Sequence, residues 1–134
     1  MKLTEKSIVD KYLGVPYRHL GRAPAGLDCY GLILSIYKDA GIELFDIDTY
    51  PKDWSLKGGN HFIDNYSKDW QQVEVPAFLD VVGFKSSKGV FNHAGVMLDR
   101  FRFINTCRAG TVIYDLYGKW GDLVVGYYRH KSLR

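Results

Sequence analysis

The two halves of the chain carry different hydrophobic periods. Before residue 41, apolar residues recur at helical spacing, most clearly at Leu32, Ile33, Ile36, Tyr37 and Ala40. After Trp70 come six short runs rich in Val, Ile, Phe and Tyr, at 71–75, 80–84, 93–98, 101–105, 111–116 and 124–129. Helices followed by a meander of antiparallel strands predict an α+β domain, with the helices on one face of a sheet of about five to six strands.

Two helices have recognisable ends. The first is predicted over 4–13 and the second over 29–40, and each has a side chain able to cap its start and a glycine able to close its end. These residues are Thr4 and Gly14 for the first helix, and Asp28 and Gly41 for the second. Nearby residues alone therefore predict where each helix begins and ends.

The segments between these elements are predicted to be irregular. Glycine and proline are spaced too closely over 14–27 for any regular element, and a rigid loop of this length is often functional. The polar segment 46–59 is predicted to be a connection that leads to a short helix over 60–67.

Length and composition restrict the kind of protein. The 134 residues suit one domain over 1–134, and 46% hydrophobic with 25% charged residues is typical of a soluble globule. A net charge of only +3 disfavours nucleic acid as a partner. No apolar run approaches the roughly 20 residues of a membrane span, and no secretory signal is evident. We therefore expect no membrane association and a cytoplasmic location on synthesis.

Cys29 is the first candidate catalytic residue. It lies at the first turn of the second helix, where unpaired amides and the positive end of the helix dipole favour thiolate over thiol. The position thus predicts a lowered thiol pKa and a nucleophile. The alternative is that Cys29 is a small buried hydrophobic residue, which is the usual fate of a free cysteine.

His93 and Asn105 are the candidate base and its orienting partner. If the connection near Asp99 pairs 97 with 101 and 95 with 103, then His93 lies directly opposite Asn105 on one face of the sheet. The asparagine oxygen could then accept from one imidazole nitrogen and leave the other for a thiol. Without Cys29, a half-exposed strand histidine and a turn-forming asparagine would be the simpler interpretation.

The remaining histidines and the second cysteine are weaker candidates. His19 could line a groove beside Cys29, whereas His61 and His130 are predicted to be surface residues. Cys107 is expected to be an unreactive, partly buried thiol, because no helix start or cation pattern activates it. A zinc site would lack its usual close ligand pair, so neither a metal nor a cofactor is expected.

Together these motifs resemble the NlpC/P60 cysteine peptidases, which have a papain-like fold and cleave peptidoglycan stem peptides. The resemblance rests on five stretches: GVPYRHLGR at 14–22, LDCYGL at 27–32, DVVGF at 80–84, HAGVML at 93–98 and FINT at 103–106. It implies a thiol endopeptidase or amidase acting on the γ-D-glutamyl to diaminopimelate bond, with Cys29 as nucleophile, His93 as base and Asn105 as the third catalytic residue. The third position is commonly histidine in the family.

The resemblance also suggests which residues would meet the substrate. Tyr17 would assist the oxyanion or the substrate backbone, and Asp28, which is also the predicted N-cap, would meet the free amino group of a stem peptide. Tyr30 stands where many relatives have serine, so its contact with the peptide would differ, and His19 would line the groove.

The closing stretch VGYYR at 125–129 resembles the phage-tail branch of the family. This implies a tail-associated cell-wall hydrolase with phage tail proteins as further partners. Two alternatives stay open: a structural tail-assembly protein that does little or no hydrolysis, and an acyltransferase that uses the same thioester. Exposed tryptophan at Trp54, Trp70 or Trp120 would favour the structural protein.

Overall fold

The computed structural model describes residues 3–23, 25–44, 69–85 and 91–133 of the chain. The connection predicted over 46–59 and the short helix predicted over 60–67 lie outside these residues, as do Trp54 and His61. Within the described residues, no helix is long and apolar enough to cross a membrane.

Both N-terminal helices are present with the predicted caps. Helix α1 spans Glu5–Tyr12, and the Thr4 side chain accepts a hydrogen bond from the Ser7 amide (3.1 Å) in a capping box. Helix α2 spans Cys29–Asp39, and Asp28 caps it by accepting from the Gly31 amide at 2.7 Å. The sequence signals at both helix starts are thus confirmed.

The loop between the helices contains more regular structure than predicted. Strands β1 (Arg22–Ala23) and β2 (Gly26–Leu27) pair antiparallel, and Tyr17 forms a parallel bridge with Leu27. The prediction of no regular element was wrong, because a two-residue ladder fits between closely spaced glycines and prolines. This backbone pairing therefore holds the loop that precedes α2 in place.

All six predicted strands form one antiparallel sheet, which confirms the α+β fold. They are β3 (Trp70–Val73), β4 (Val81–Lys85), β5 (Phe91–Met97), β6 (Arg102–Cys107), β7 (Gly110–Asp115) and β8 (Val124–His130). Their order across the sheet is β3-β8-β4-β5-β6-β7. Only β4 to β7 form the expected meander, because β8 returns to lie between β3 and β4.

The sheet has an apolar layer on each face. Helices α1 and α2 contribute Ile8, Leu32 and Ile36 to the larger core, together with Val96 and Ile104 of the sheet. The second cluster, Val82, Phe84, Met97 and Phe103, is covered by Trp120 and Leu123. Trp120 belongs to a short helix, α3 (Lys119–Asp122), which was not predicted because four residues are too few to show a helical period. A 3-10 turn, Lys131–Leu133, follows β8.

His130 and Trp70 are buried rather than exposed. The ring of His130 packs edge-on against Trp70, with 5.0 Å between the ring centroids, and lies 6.0 Å from Tyr37. His130 is 5% exposed and Trp70 is 9% exposed. The prediction that His130 is a surface residue was wrong, because the pairing of β3 with β8 brings it under α2.

The register between β5 and β6 differs from the prediction by two residues. The strands pair Val96 with Ile104 and Met97 with Phe103. A three-residue loop sets this register, because the Asp99 carboxylate accepts hydrogen bonds from the amides of Phe101 and Arg102, both at 2.8 Å. A shift of two residues keeps every side chain on its predicted face.

Candidate active site

His93 and Asn105 are hydrogen-bonded to each other. The distance between His93 Nε2 and Asn105 Oδ1 is 2.7 Å, and Asn105 is fully buried. The Asn105 amide nitrogen donates to the Val112 carbonyl at 3.2 Å, which orients its oxygen toward the imidazole. Nε2 must therefore carry the proton in neutral His93, and Nδ1 is the nitrogen left to act as a base.

This contact is diagonal rather than directly cross-strand. The observed register, continued along β5, places Gly95 opposite Asn105, so the predicted pairing of His93 with Asn105 was wrong. A Cβ atom at Gly95 would lie 3.1 Å from the Asn105 Cβ and 2.8 Å from the Ile104 carbonyl oxygen. The absence of a side chain at Gly95 thus gives Asn105 the space to reach His93.

Aromatic rings flank the imidazole. The His93 ring centroid lies 6.1 Å from that of Phe84 and 6.1 Å from that of Trp120. Burial in this setting lowers the pKa of His93, and the bond to Asn105 opposes the shift. Trp120 was not predicted to lie beside the imidazole. It is half-buried instead of forming the exposed surface considered for a structural tail protein.

Cys29 begins α2 and lies beside β5. Its sulfur is close to the backbone N–H groups of Ala94 and Tyr30, and Ala94 is the immediate neighbour of His93. The structure therefore brings the thiol to the strand that carries the imidazole. The sequence placed Cys29 correctly at the first turn of the helix.

The electrostatic setting of Cys29 is opposite to the one predicted. Burial, followed by the charge of the Asp28 carboxylate, raises the pKa of the thiol to about 12, although the residue keeps some accessible surface. The two backbone N–H groups and Arg22 favour the thiolate but do not outweigh these effects. The predicted lowering of the thiol pKa by the helix start alone was wrong, because the sequence does not reveal desolvation.

Tyr17 lies next to the thiol. The residue is 40% exposed, and the partial burial of its phenol together with the charges of Asp28 and Cys29 raises the pKa of Tyr17. Arg108 acts in the opposite direction on the same phenol. Tyr17 is thus near enough to Cys29 to interact with it electrostatically, and its contact with an oxyanion or a substrate remains a prediction.

Both carboxylate oxygens of Asp28 accept hydrogen bonds from groups of the protein itself. One carboxylate oxygen accepts from the Gly31 amide and from Arg22 Nη1 at 3.0 Å, and the other accepts from the Leu20 amide at 3.1 Å. The residue is 4% exposed. A substrate amino group would have to compete with Arg22 for this carboxylate.

Tyr30 and His19 differ in burial. Tyr30 is 8% exposed and belongs to the main core, where its ring centroid lies 5.6 Å from the Arg22 guanidinium carbon. This burial argues against the predicted peptide contact at Tyr30. His19 is half-buried in a turn of the loop before α2, and its place in a substrate groove stays a prediction.

Sequence reasoning missed Arg22. Its side chain lies in the loop before α2 and forms an ion pair with Asp28. The only available signal was a basic residue in a Gly/Pro-rich loop six positions before a helix cap, which does not by itself indicate a contact.

Both cysteines are free thiols. Cys107 is half-buried, and its sulfur lies 3.7 Å from the Gly110 carbonyl oxygen. Among the described residues, no three His, Cys, Asp or Glu side chains are grouped closely enough to hold a metal ion.

Solved structures share this fold. An NlpC/P60 family protein from Bacillus cereus matches 97% of this chain and 41% of its own, with 21% identity and a TM-score of 0.68. A Staphylococcus aureus protein described as similar to a lipoprotein of the NLP/P60 family matches 97% of this chain and 43% of its own, with 20% identity and a TM-score of 0.67. The chain thus spans about two fifths of the length of these two proteins.

A third similar structure is the NlpC/p60 domain of the peptidoglycan hydrolase SagA. The match covers 95% of this chain and 99% of that domain, with 18% identity and a TM-score of 0.59. The sequence of the chain also matches the model of the NlpC/P60 family over residues 14–129. That range includes Cys29, His93 and Asn105 and most of the 134 residues, so the chain belongs to the NlpC/P60 family.

Proposed function

We propose that this protein is a cysteine hydrolase of peptidoglycan stem peptides, with Cys29 as nucleophile, His93 as general base and Asn105 as the residue that orients the imidazole. The observation that carries the proposal is the 2.7 Å hydrogen bond from His93 Nε2 to Asn105 Oδ1, on the strand where the Ala94 amide lies by the Cys29 thiol. Nucleophile, base and orienting group are the three parts of thiol catalysis of acyl transfer.

The reaction starts from a neutral thiol and a neutral imidazole, because the thiol pKa is raised and the imidazole pKa is lowered. His93 Nδ1 takes the thiol proton as the Cys29 sulfur attacks the scissile carbonyl carbon. The resulting imidazolium donates that proton to the leaving amine when the C–N bond breaks. Water, deprotonated by His93, then cleaves the thioester and restores the thiol.

The negative oxygen of the tetrahedral intermediate needs hydrogen-bond donors. The Cys29 backbone amide at the start of α2 is one candidate donor, and the hydroxyl of the partly exposed Tyr17 is the other. Donors that are fixed before the reaction stabilise this charge without reorganisation.

Two findings support peptidoglycan as the substrate: family membership and the likeness to a domain of a peptidoglycan hydrolase. The γ-D-glutamyl to diaminopimelate bond is proposed on the sequence resemblance alone. A digest of purified peptidoglycan, followed by mass spectrometry of the released fragments, tests both the substrate and the bond.

The matched variants for this digest are Cys29→Ala and Cys107→Ala, since both remove a half-buried thiol. We expect hydrolysis to be lost in the first variant and kept in the second. Loss of His93 should also reduce hydrolysis strongly. Equal activity of the two cysteine variants would overturn the assignment of the nucleophile.

The association with a phage tail is proposed only on the stretch 125–129. In the fold these residues belong to β8, which pairs with both β3 and β4. The same residues are therefore also needed for strand pairing in the sheet. Detection of the chain in purified tail particles would support the association, and its absence from them would contradict it.

A digest with added amine acceptors separates hydrolysis from acyl transfer, since only a transferase yields an acylated amine.

A further inference from the structure

The side chain of Arg22 is enclosed at the start of α2. Its Nη1 donates to Asp28 Oδ1 and to the Gly21 carbonyl oxygen, both at 3.0 Å, and its guanidinium lies near the ring of Tyr30. The exposed fractions of the two paired side chains are 23% for Arg22 and 6% for Asp28. This is a partly desolvated ion pair that solvent screens only weakly.

Gly31 provides the space for this ion pair. A Cβ atom there would lie 3.2 Å from Arg22 Nη1, 3.2 Å from Asp28 Oδ1 and 2.0 Å from the Gly21 carbonyl oxygen. The loop, the cap and the first turn of α2 are thus in direct contact around the guanidinium. Arg22 has little freedom to leave Asp28 without disturbing all three.

The ion pair adjoins Cys29. The Asp28 carboxylate disfavours a negative charge on the sulfur, whereas the Arg22 charge favours it. Asp28 has to be present because it caps α2 through the Gly31 amide. The cap therefore acts against the nucleophile, and the charge of Arg22 reduces this effect.

We propose that Arg22 is a positioning residue for the nucleophile: its ion pair with the Asp28 carboxylate offsets part of that charge and so limits how far the cap of α2 suppresses the ionisation of Cys29. The inference rests on the proposed function, in which Cys29 is the nucleophile. Its test uses the chemical reactivity of the thiol and needs no peptidoglycan.

Other titratable groups also lie in the region of the thiol. His93 approaches from β5, and the Tyr17 phenol, with Arg108 near it, approaches from the loop and from the turn between β6 and β7. Arg22 differs from these groups because it acts through Asp28. Substitution of both partners should therefore cancel the effect of substituting Arg22 alone.

The experiment measures the rate of alkylation of Cys29 by iodoacetamide across pH in the folded full chain, with peptide mapping to separate it from Cys107. The variants are Arg22→Gln, Arg22→Lys, Asp28→Asn and the double variant Arg22→Gln with Asp28→Asn. Asparagine is as good an N-cap as aspartate, so Asp28→Asn changes the charge and keeps the cap. The control is Arg129→Gln, which breaks a similar ion pair, with Asp80, far from Cys29 in sequence.

We expect Arg22→Gln to slow alkylation about tenfold at a fixed pH below the thiol pKa, since a shift of one pKa unit changes the thiolate fraction tenfold. Arg22→Lys should recover most of the rate, and Asp28→Asn should exceed the wild-type rate. The double variant should be at least as fast as the wild type, because Asp28 affects the thiol more than Arg22 does. Arg129→Gln should leave the profile unchanged.

An unchanged profile in folded Arg22→Gln would overturn the proposal, and so would a double variant as slow as Arg22→Gln. If Arg22→Gln does not fold, Asp28→Asn decides: a rate no faster than wild type rejects the role of the charge. A wild-type protein that follows the expected profile and releases no peptidoglycan fragments would contradict the proposed function and leave this inference standing.

Discussion

His93 Nε2 and Asn105 Oδ1 lie 2.7 Å apart although the two residues are not opposite each other in the ladder of β5 and β6. The bond crosses diagonally past Gly95, and the Val112 carbonyl fixes the amide that makes it. The position of the candidate base therefore depends on three strands, β5, β6 and β7.

Asn105→Ala should reduce hydrolysis without removing it. The imidazole would lose the acceptor that fixes its tautomer, and the Val112 carbonyl would lose its donor. We expect kcat to fall by about 10- to 100-fold, less than on loss of the base itself. Steady-state kinetics on a soluble stem peptide measures this effect, and an unchanged kcat would remove Asn105 from the mechanism.

Gly95→Ala should affect the hydrogen bond between His93 and Asn105 indirectly. The new methyl group would meet the Ile104 carbonyl oxygen at 2.8 Å and the Phe103 ring at 3.0 Å, so the strands must move apart. We expect a loss of stability of about 1–3 kcal/mol, as for other overpacked sites, together with a weaker contact between Asn105 and His93. Urea denaturation and the imidazole NMR shifts of His93 test the two effects separately.

The reactivity of Cys29 should rise with pH well beyond neutrality. A thiol pKa raised to about 12 means that the thiolate fraction increases about tenfold per pH unit throughout the range below it. Alkylation of the free protein should therefore be slow at pH 6 and increase steadily with pH. A plateau below neutrality would instead reveal a stable thiolate–imidazolium pair.

His93 should still be able to act as the general base of hydrolysis in mildly acidic solution. Burial lowers the pKa of His93 from 6.5, so the imidazole stays neutral to a lower pH than a free histidine would. Since the general base acts in its neutral form, we expect the acidic limb of the rate profile to lie below pH 6.5. A limb centred above that pH would contradict the assignment.

Asp28→Ala should destabilise the protein. The change removes the cap of α2 and leaves the partly buried Arg22 guanidinium without its carboxylate. We expect a loss of about 2–4 kcal/mol, which combines a typical cap with the breaking of a largely buried ion pair. Lys6→Ala, which breaks an exposed pair with Asp10, is the control and should leave the urea midpoint unchanged.

The sequence predicted features that are set by nearby residues. The caps at Thr4 and Asp28 and the position of Cys29 at a helix start depend on a few neighbouring side chains, and all are present in the structure. The predicted register of β5 and β6 was wrong because the Asp99 side chain closes a three-residue loop that lies one residue later in the chain than the predicted turn. The thiol pKa was wrong because burial depends on the whole fold.

The place of β8 between β3 and β4 has a consequence for folding. Trp70 of β3 pairs with His130, about 60 residues later, so β3 gains a sheet neighbour only when the last strand docks. Until then one edge of β4 carries unpaired backbone groups, and such an edge can pair with another chain. We expect a chain that ends before β8 to aggregate, although Cys29, His93 and Asn105 would all be present in it.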